Sequence, residues 1–330
     1  MKDTMERLRL PQLFCPFTTS CSRYVAVVER ATLAWARRYG LITSVEAEQR
    51  LSAVRIGALI GRVYPMLARH DLQLLVDWTT WGFIWDDLCS APPLRDQPEQ
   101  LQHQQARLAA VLRGAAPEAD QPLAGALADL RRRLLQKTSV VGLERFVRSV
   151  EQFFEACLWE ATNRAQGRVP DLASYQRMRP RSSGINTYTE LFGIIDGLDF
   201  PEALRAHPTV ERLTLLANNV VCWINDIISL AKELEQGDVH NLVLILQHEQ
   251  QIGLQEALNC TAALVNAEVR SFITATRWLP VLDEPGTAAL ERYLTVLRGW
   301  MRGSLEWSYT SGRYLSTTRV SLDLPETMCL

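Results

Sequence analysis

Apolar residues recur at three- and four-residue intervals along most of this 330-residue chain, the spacing of helices that bury one face. The stretch 24–39, YVAVVERATLAWARRY, shows the pattern and stops at Gly40, a residue suited to the left-handed cap that ends a helix. Further helices are predicted over 45–60, 65–89, 99–113, 121–138, 142–166, 186–197, 208–235, 239–249, 253–278 and 284–314. Segment 171–179 predicts a short helix broken around Pro180 and Ser182-Ser183-Gly184, and 91–98 predicts a proline-rich loop. Period-two alternation is missing, as are Gly/Asn turns flanked by β-branched runs, so no strand is expected. The gaps between helices are short, without a Gly/Ser linker or an internal repeat. The pattern therefore predicts one all-α domain over 1–330, a helical bundle, with 1–20 and 316–330 irregular and able to drape over it.

Composition adds mainly exclusions. Hydrophobic residues make up 47% and charged residues 22%, ordinary for a globular chain. The net charge of −2, from 35 Lys+Arg against 37 Asp+Glu, gives no reason to expect nucleic acid or an anionic membrane as partner. No apolar run approaches the roughly 20 residues of a membrane span. The opening MKDTMERLRLPQLFCPF lacks a signal core, so neither insertion nor secretion is expected. The seven cysteines (15, 21, 89, 157, 222, 260, 329) form no C-x-x-C pair. Reduced, structural thiols in a cytoplasmic protein fit best, and a cysteine-zinc site lacks its ligand spacing. Both a monomer and a homodimer are compatible with the pattern.

Candidate chemistry begins at WGFIWDDLCS, residues 81–90. Asp86 and Asp87 fall in the last turn of a helix over 65–89, where the backbone dipole disfavours carboxylates by about 0.3–1 kcal/mol each. A cation would compensate, either an Arg or Lys or a hard metal such as Mg²⁺, and a solvated salt-bridged pair explains the acids equally simply. Trp81 and Trp85 share a helix face, whereas Phe83 points elsewhere.

A second oxygen-rich face lies in WINDIISLAKELEQGDVHN, residues 223–241. Asn225, Ser229 and Glu233 stand four apart in one helical row, an amide oxygen, a hydroxyl and a carboxylate suited to Mg²⁺ or Mn²⁺. The same row also fits a solvent-facing stripe, although Asn and Ser are mediocre helix formers and here sit among isoleucines. Gly237 offers the cap.

Together these segments resemble the two metal-binding motifs of bacterial class I terpene synthases (terpene cyclases). Asp86-Asp87 is similar to the start of the aspartate-rich motif, and Asn225 to Glu233 matches N-D-x-x-S-x-x-x-E in full. Arg179, within YQRMRPRSSGI, resembles the diphosphate-sensing arginine, and Arg313-Tyr314, within WSYTSGRY, the terminal Arg-Tyr pair. LPQLFCPF (10–17) and LAWARRYGL (33–41) resemble the family's opening stretches, so the likeness spans nearly the whole chain.

The resemblance implies a helical bundle of the class I terpene synthase type with a deep central apolar active-site cavity, the two motifs facing each other across its mouth. It implies three Mg²⁺ ions, held by Asp86, Asp87, Asn225, Ser229 and Glu233, with Mn²⁺ an alternative. Arg179, Lys232, Arg313 and Tyr314 would bond the diphosphate of a linear isoprenyl substrate, and Asp87 would pair with an arginine such as Arg179. For Asp87 the arginine is the alternative to a metal ion. Ser182 and Ser183 would relay diphosphate binding to the helix break. By position relative to the motifs, Phe83 and Trp307 would line the pocket, followed by Phe153 or Phe154, their ring faces stabilising a carbocation.

One position departs from the family pattern. The last acid of a D-D-x-x-D motif is replaced by Ser90, and residue 91 is Ala. The implied activity is cyclisation of farnesyl diphosphate to a sesquiterpene hydrocarbon or alcohol with release of diphosphate, a lyase reaction; C10 and C20 substrates are alternatives. A chain-elongating prenyltransferase would show two aspartate-rich motifs. A non-catalytic helical protein that binds a hydrophobic ligand would have only Ser90 in its favour.

Overall fold

The computed structural model describes residues 6–195, 202–314 and 320–323, and they are mainly helical. In chain order the elements are β1 (Glu6–Arg9), α1 (Val25–Arg38), α2 (Val45–Val54), α3 (Ile56–Val63), α4 (Arg69–Cys89), α5 (Pro98–Arg113), α6 (Pro122–Leu135) and α7 (Val140–Ala165). They continue with α8 (Leu172–Ser182), α9 (Asn186–Ile195), α10 (Glu202–Arg205), α11 (Pro208–Gln236), α12 (Leu242–Gln250), α13 (Leu254–Ala275), α14 (Glu284–Thr310) and β2 (Val320–Asp323). Short 3₁₀ turns cover Leu94–Asp96 and Thr276–Trp278. Ser44, Ser139, Asp171, Asn241 and Asp283 cap their helices by accepting a backbone N–H.

Buried apolar residues from Leu8 to Trp307 form one connected core cluster. Helix α11 packs on α13 and α14, and α14 packs on α3. On the inner face of α4, Trp78, Trp81 and Trp85 form a ladder, with rings 5.4 and 6.2 Å apart and nearly parallel. Each such aromatic pair adds about 0.5–1.5 kcal/mol beyond burial. Among the described helices α11 alone is long and apolar enough to cross a membrane, and 72% of its most apolar window is buried inside the bundle. Its apolar character is that of a core helix.

Several boundaries differ from the sequence expectation, each for a physical reason. The segment 45–60 is two helices, because Arg55 adopts the left-handed conformation (φ 57°). The carbonyls freed at this kink are taken by the end of α14. Trp307 Nε1 donates to the carbonyls of Val54 (2.8 Å) and Arg55 (3.1 Å), Ser311 Oγ to Val54 (2.9 Å), and the Gly312 N–H to Ala53 (2.8 Å). A Cβ on Gly312 would stand 2.8 Å from the Ala53 Cβ, so only glycine permits this approach. Helix α14 accordingly stops at Thr310 rather than 314.

Helix α8 runs through Pro180 to Ser182, although proline brings no N–H to the ladder; the chain turns at Gly184, whose φ is 68°. Helix α12 starts at Leu242 rather than 239, since the Asp238 carboxylate holds the Val239 and His240 N–H groups in a turn. Helix α13 ends at Ala275 and passes into a 3₁₀ turn. Residues 196 and 197 of the expected 186–197 helix lie outside the described residues, as does Cys329.

The expectation of no strand is corrected by β1 and β2, which pair in parallel with Glu6 opposite Val320. Each strand is only four residues long, at the lower limit at which alternation can be read. Between β1 and α1 the chain does drape over α13. Gln255 exchanges two hydrogen bonds with the Arg9 backbone, and Asn266 accepts the Phe14 N–H at 2.6 Å.

Candidate active site

Helix α4 delivers Asp86 and Asp87 in its last turn, and a cation does meet them. The Arg313 guanidinium donates to Asp86 at 2.9 Å and forks onto both Asp87 oxygens at 2.9 and 3.1 Å. Lys232 Nζ stands 3.5 Å from Asp87. Burial pushes the Asp87 carboxyl up, but Arg313 and Lys232 outweigh this and hold it below the ordinary carboxylate value. Arg313 also lies 4.7 Å over the Phe83 ring. The expected Asp87–Arg179 pair is therefore corrected to Asp87–Arg313. The reason lies on α11, where Arg179 is already bound.

On α11, Asn225, Ser229 and Glu233 do form one row. Ser229 Oγ lies 2.7 Å from the Asn225 carbonyl and 2.6 Å from Glu233 Oε1. The Asn225 side chain accepts from Arg179 (2.7 Å) and donates to the Tyr314 hydroxyl (2.8 Å). Arg179 also donates to Asp226 Oδ1 through Nε and Nη2, at 2.9 and 2.8 Å. Asp226 is fully buried and takes the Tyr175 hydroxyl (2.5 Å) and the Leu242 N–H (3.1 Å) on its other oxygen. Burial depresses the Arg179 pKa, but Asp226 outweighs it, so the guanidinium titrates above its ordinary value.

The donor set suits a hard divalent cation. Among the described residues no three His, Cys, Asp or Glu side chains converge as a ligand cluster, so the row combines amide, hydroxyl and carboxylate oxygens. Glu233 is half-buried, with its partners Ser229 and Asn241 both uncharged. Burial, then Asp226 and Asp238, push its carboxyl up to about 8. A carboxylate so placed is short of a positive charge.

These groups share one cavity of about 210 Å³. Asp86, Arg179, Asn225, Ser229, Lys232, Glu233, Arg313 and Tyr314 line it together with Ser182, Ser183, Phe83, Phe153 and Trp307. Phe83 and Trp307 lie 5.8 Å apart, and Tyr314 stands edge-on to Trp307 at 5.7 Å. Burial raises the Tyr314 hydroxyl to about 12. Asp87 is outside the lining. So is Phe154, whose ring packs on Trp85 (5.4 Å) and Trp81 (6.4 Å). That corrects its expected pocket role: neighbours on a helix point about 100° apart, and only Phe153 faces the cavity.

Sequence reasoning missed several groups. Asp226 stands inside the quoted motif, and Tyr175 lies one helical turn before Arg179; both follow from face arithmetic once α8 is placed against α11. Asn241 donates to Glu233 Oε2 (2.7 Å) and to the Asp226 carbonyl (2.6 Å). Glu160 on α7 lines the same cavity, beside Ser90, the position already singled out in the aspartate-rich motif. No periodicity could have flagged Glu160.

An all-α bundle with facing acidic and Asn/Ser/Glu helix ends over an aromatic cavity has the architecture of a class I terpene synthase. Residues 77–271 match the family model described as terpene synthase family 2, C-terminal metal binding. The chain is 35% identical over 319 residues to a germacrene A synthase of Nostoc punctiforme, covering 96% of this chain and 99% of that protein. It is 36% identical over 307 residues to a (+)-T-muurolol synthase of Roseiflexus castenholzii that cyclises (2E,6E)-farnesyl diphosphate, covering 93% and 94%. Among solved structures it resembles the SVS_A2 protein from ancestral sequence reconstruction, with TM-score 0.83 and 28% identity over 96% of both chains. Germacradien-4-ol synthase from Streptomyces citricolor aligns with TM-score 0.80 and 25% identity over 90% of this chain and 98% of that one. The chain belongs to the terpene synthase family and is a lyase of the cyclase type.

Proposed function

We propose that the protein cyclises farnesyl diphosphate to a sesquiterpene, using Mg²⁺ and releasing diphosphate, as one domain over 1–330. The observation that carries this is the convergence of Asp86 and the Asn225–Ser229–Glu233 row on one cavity whose wall also carries the rings of Trp78, Phe83, Phe153, Trp300 and Trp307. Relatives whose names state farnesyl diphosphate cyclisation cover nearly the whole chain, which favours the C15 substrate.

Asp86, Asn225, Ser229 and Glu233 would hold the metal, in three ions by family resemblance. Bound Mg²⁺ supplies Lewis-acid neutralisation of the departing diphosphate. Arg313, Lys232 and Arg179 now lean on Asp86, Asp87 and Asp226, and they bond diphosphate oxygens by exchanging or sharing these partners. Tyr314 adds a neutral donor. Heterolysis of the allylic C–O bond leaves its electron pair on the diphosphate and a cation on the chain. Phe83, Trp307 and Phe153 face that cation and exclude water, with cation–π stabilisation of about 2 kcal/mol when desolvated. Loss of a proton, or capture of water, ends the reaction.

The test is incubation with Mg²⁺ and C10, C15 and C20 isoprenyl diphosphates, with diphosphate release and gas chromatography of the products. A cyclic C15 product is expected. Turnover only with C10 or C20 would reassign the substrate, and release only with added isopentenyl diphosphate would indicate chain elongation. No release from any of them overturns the enzyme reading.

A further inference from the structure

The two helix ends that carry the metal motifs are tied together by residues outside both motifs. Helix α7 ends beside them, and Arg164 in its last turn is buried, with a side chain only 5% exposed. Its guanidinium reaches three separate segments. Nη2 donates to the carbonyl of Cys89, the last residue of α4, at 3.4 Å. Nε donates to the carbonyl of Arg95, in the turn after α4, at 3.2 Å. Nη1 donates to Asp238 Oδ2, just past the Gly237 cap of α11, at 3.1 Å.

Arg95 completes the circuit. Its own guanidinium donates to the last carbonyls of α11, those of Gln236 and Gly237, the latter at 3.0 Å. The other oxygen of Asp238 accepts from the Val239 N–H (2.7 Å), the His240 N–H (3.0 Å) and His240 Nδ1 (2.9 Å). Neither arginine lines the cavity. Two negative helix ends, each already carrying acids, are thus held side by side by two guanidinium groups bonded to their carbonyls.

We infer that Arg164, seconded by Arg95, is a positioning residue that sets the separation of the two metal-binding helix ends, and through it the affinity for divalent metal. This rests on the metal–diphosphate reading given above. The partners distinguish this strap from the rest of the mouth. Arg179 and Arg313 hold side-chain oxygens, which a ligand can replace. Arg95 holds two main-chain carbonyls, and Arg164 holds two more besides the Asp238 carboxylate, whose other oxygen is fixed by the Val239 and His240 N–H groups; main-chain carbonyls stay in place when ligands bind. One wall of the site is therefore fixed in advance, and the opposite wall exchanges partners. A lysine at 164 keeps the charge but offers a single nitrogen, which cannot span three segments as a planar fork does.

The experiment uses the full chain and the variants Arg164→Lys, Arg164→Gln and Arg95→Gln, with circular dichroism and Tm defining the folded fraction. Binding of inorganic diphosphate is titrated calorimetrically at a series of Mg²⁺ concentrations. The Mg²⁺ half-saturation should rise roughly tenfold or more in the Arg164 variants, the size seen when groups supporting a metal ligand are lost. Arg95→Gln should shift it in the same direction, and saturating Mg²⁺ should restore wild-type binding and kcat. Folded variants whose half-saturation equals the wild type overturn the inference, even where Tm or kcat has fallen, because a merely structural role moves only those. If the Arg164 variants do not fold, Arg95→Gln decides by the same criterion. A wild-type protein that binds no diphosphate at any Mg²⁺ concentration overturns the underlying reading and the strap with it.

Discussion

Helix α4 carries acids at two levels, and their surroundings differ sharply. Asp77, near the middle, is 1% exposed. Thr32 and Gln73 donate to one of its oxygens at 2.7 and 2.8 Å, and Arg133 to the other at 2.7 Å. Arg133 also reaches Asp129, which accepts from the Trp35 indole. All four carboxylate oxygens of Asp77 and Asp129 are taken. Asp86 and Asp87, in the last turn of the same helix, have side chains 50% and 53% exposed, and Arg313 bridges them at the cavity. Residue type and helix are shared, so the difference lies in how many partners the fold commits. A closed network stabilises one conformation, whereas an open one keeps oxygens that a new ligand can take.

Substitutions at the two levels should separate accordingly. The largest effect on turnover belongs to the row facing the open network: Asn225→Leu should lower kcat by about 10³-fold or more, within the range for losing a preorganised electrostatic group. Its helical circular dichroism should stay intact, and a variant with full activity would remove Asn225 from the site. Arg313→Ala follows, with kcat/KM down roughly 10²-fold. Its Tm should hardly move, because half-exposed ion pairs contribute only about 0–1 kcal/mol. A large fall in Tm would show that Arg313 is part of the scaffold.

The closed network should give the reverse result. Asp77→Ala should cost about 1–3 kcal/mol, the range for leaving buried donors such as the Thr32 hydroxyl without their acceptor, while activity per folded molecule is kept. Denaturant titration alongside steady-state assay reads both. Burial pushes the Asp77 carboxyl above its ordinary value despite Arg133 and its hydrogen bonds. The folded state therefore holds this proton to higher pH than the unfolded chain. Asp77 contributes its stability in full below the unfolded pKa of 3.8 and loses it as pH rises through the raised folded value. The stability difference between wild type and Asp77→Asn should carry that falling slope; a flat difference would place the proton elsewhere. The smallest effect is expected from Ser90→Asp, which restores the missing acid and should lower the Mg²⁺ half-saturation a few-fold. Unchanged metal dependence would show that position 90 takes no part.

Much of this arrangement was legible in the sequence. Helical periodicity located nearly all the elements, because the apolar stripe repeats with the backbone's own turn. The Asn225–Ser229–Glu233 row was legible for the same reason, being a statement about one face of one helix. The break at Arg55 was not legible, since its stabilising partners Trp307, Ser311 and Gly312 lie some 250 residues away. Nor was the choice between Phe153 and Phe154, which depends on how α7 is rotated against the tryptophans of α4.

The sequence by itself thus determined the all-α class, the oxygen donors and the family to which they belong, because each is written in local spacing and residue chemistry. Only the tertiary structure decided which cation meets which acid: Arg313 with Asp86 and Asp87, Arg179 with Asp226, Arg164 with Asp238. Those pairings depend on the relative rotation and height of helices distant in sequence. That geometry is the summed outcome of the whole packed core, and no short stretch of the chain contains it.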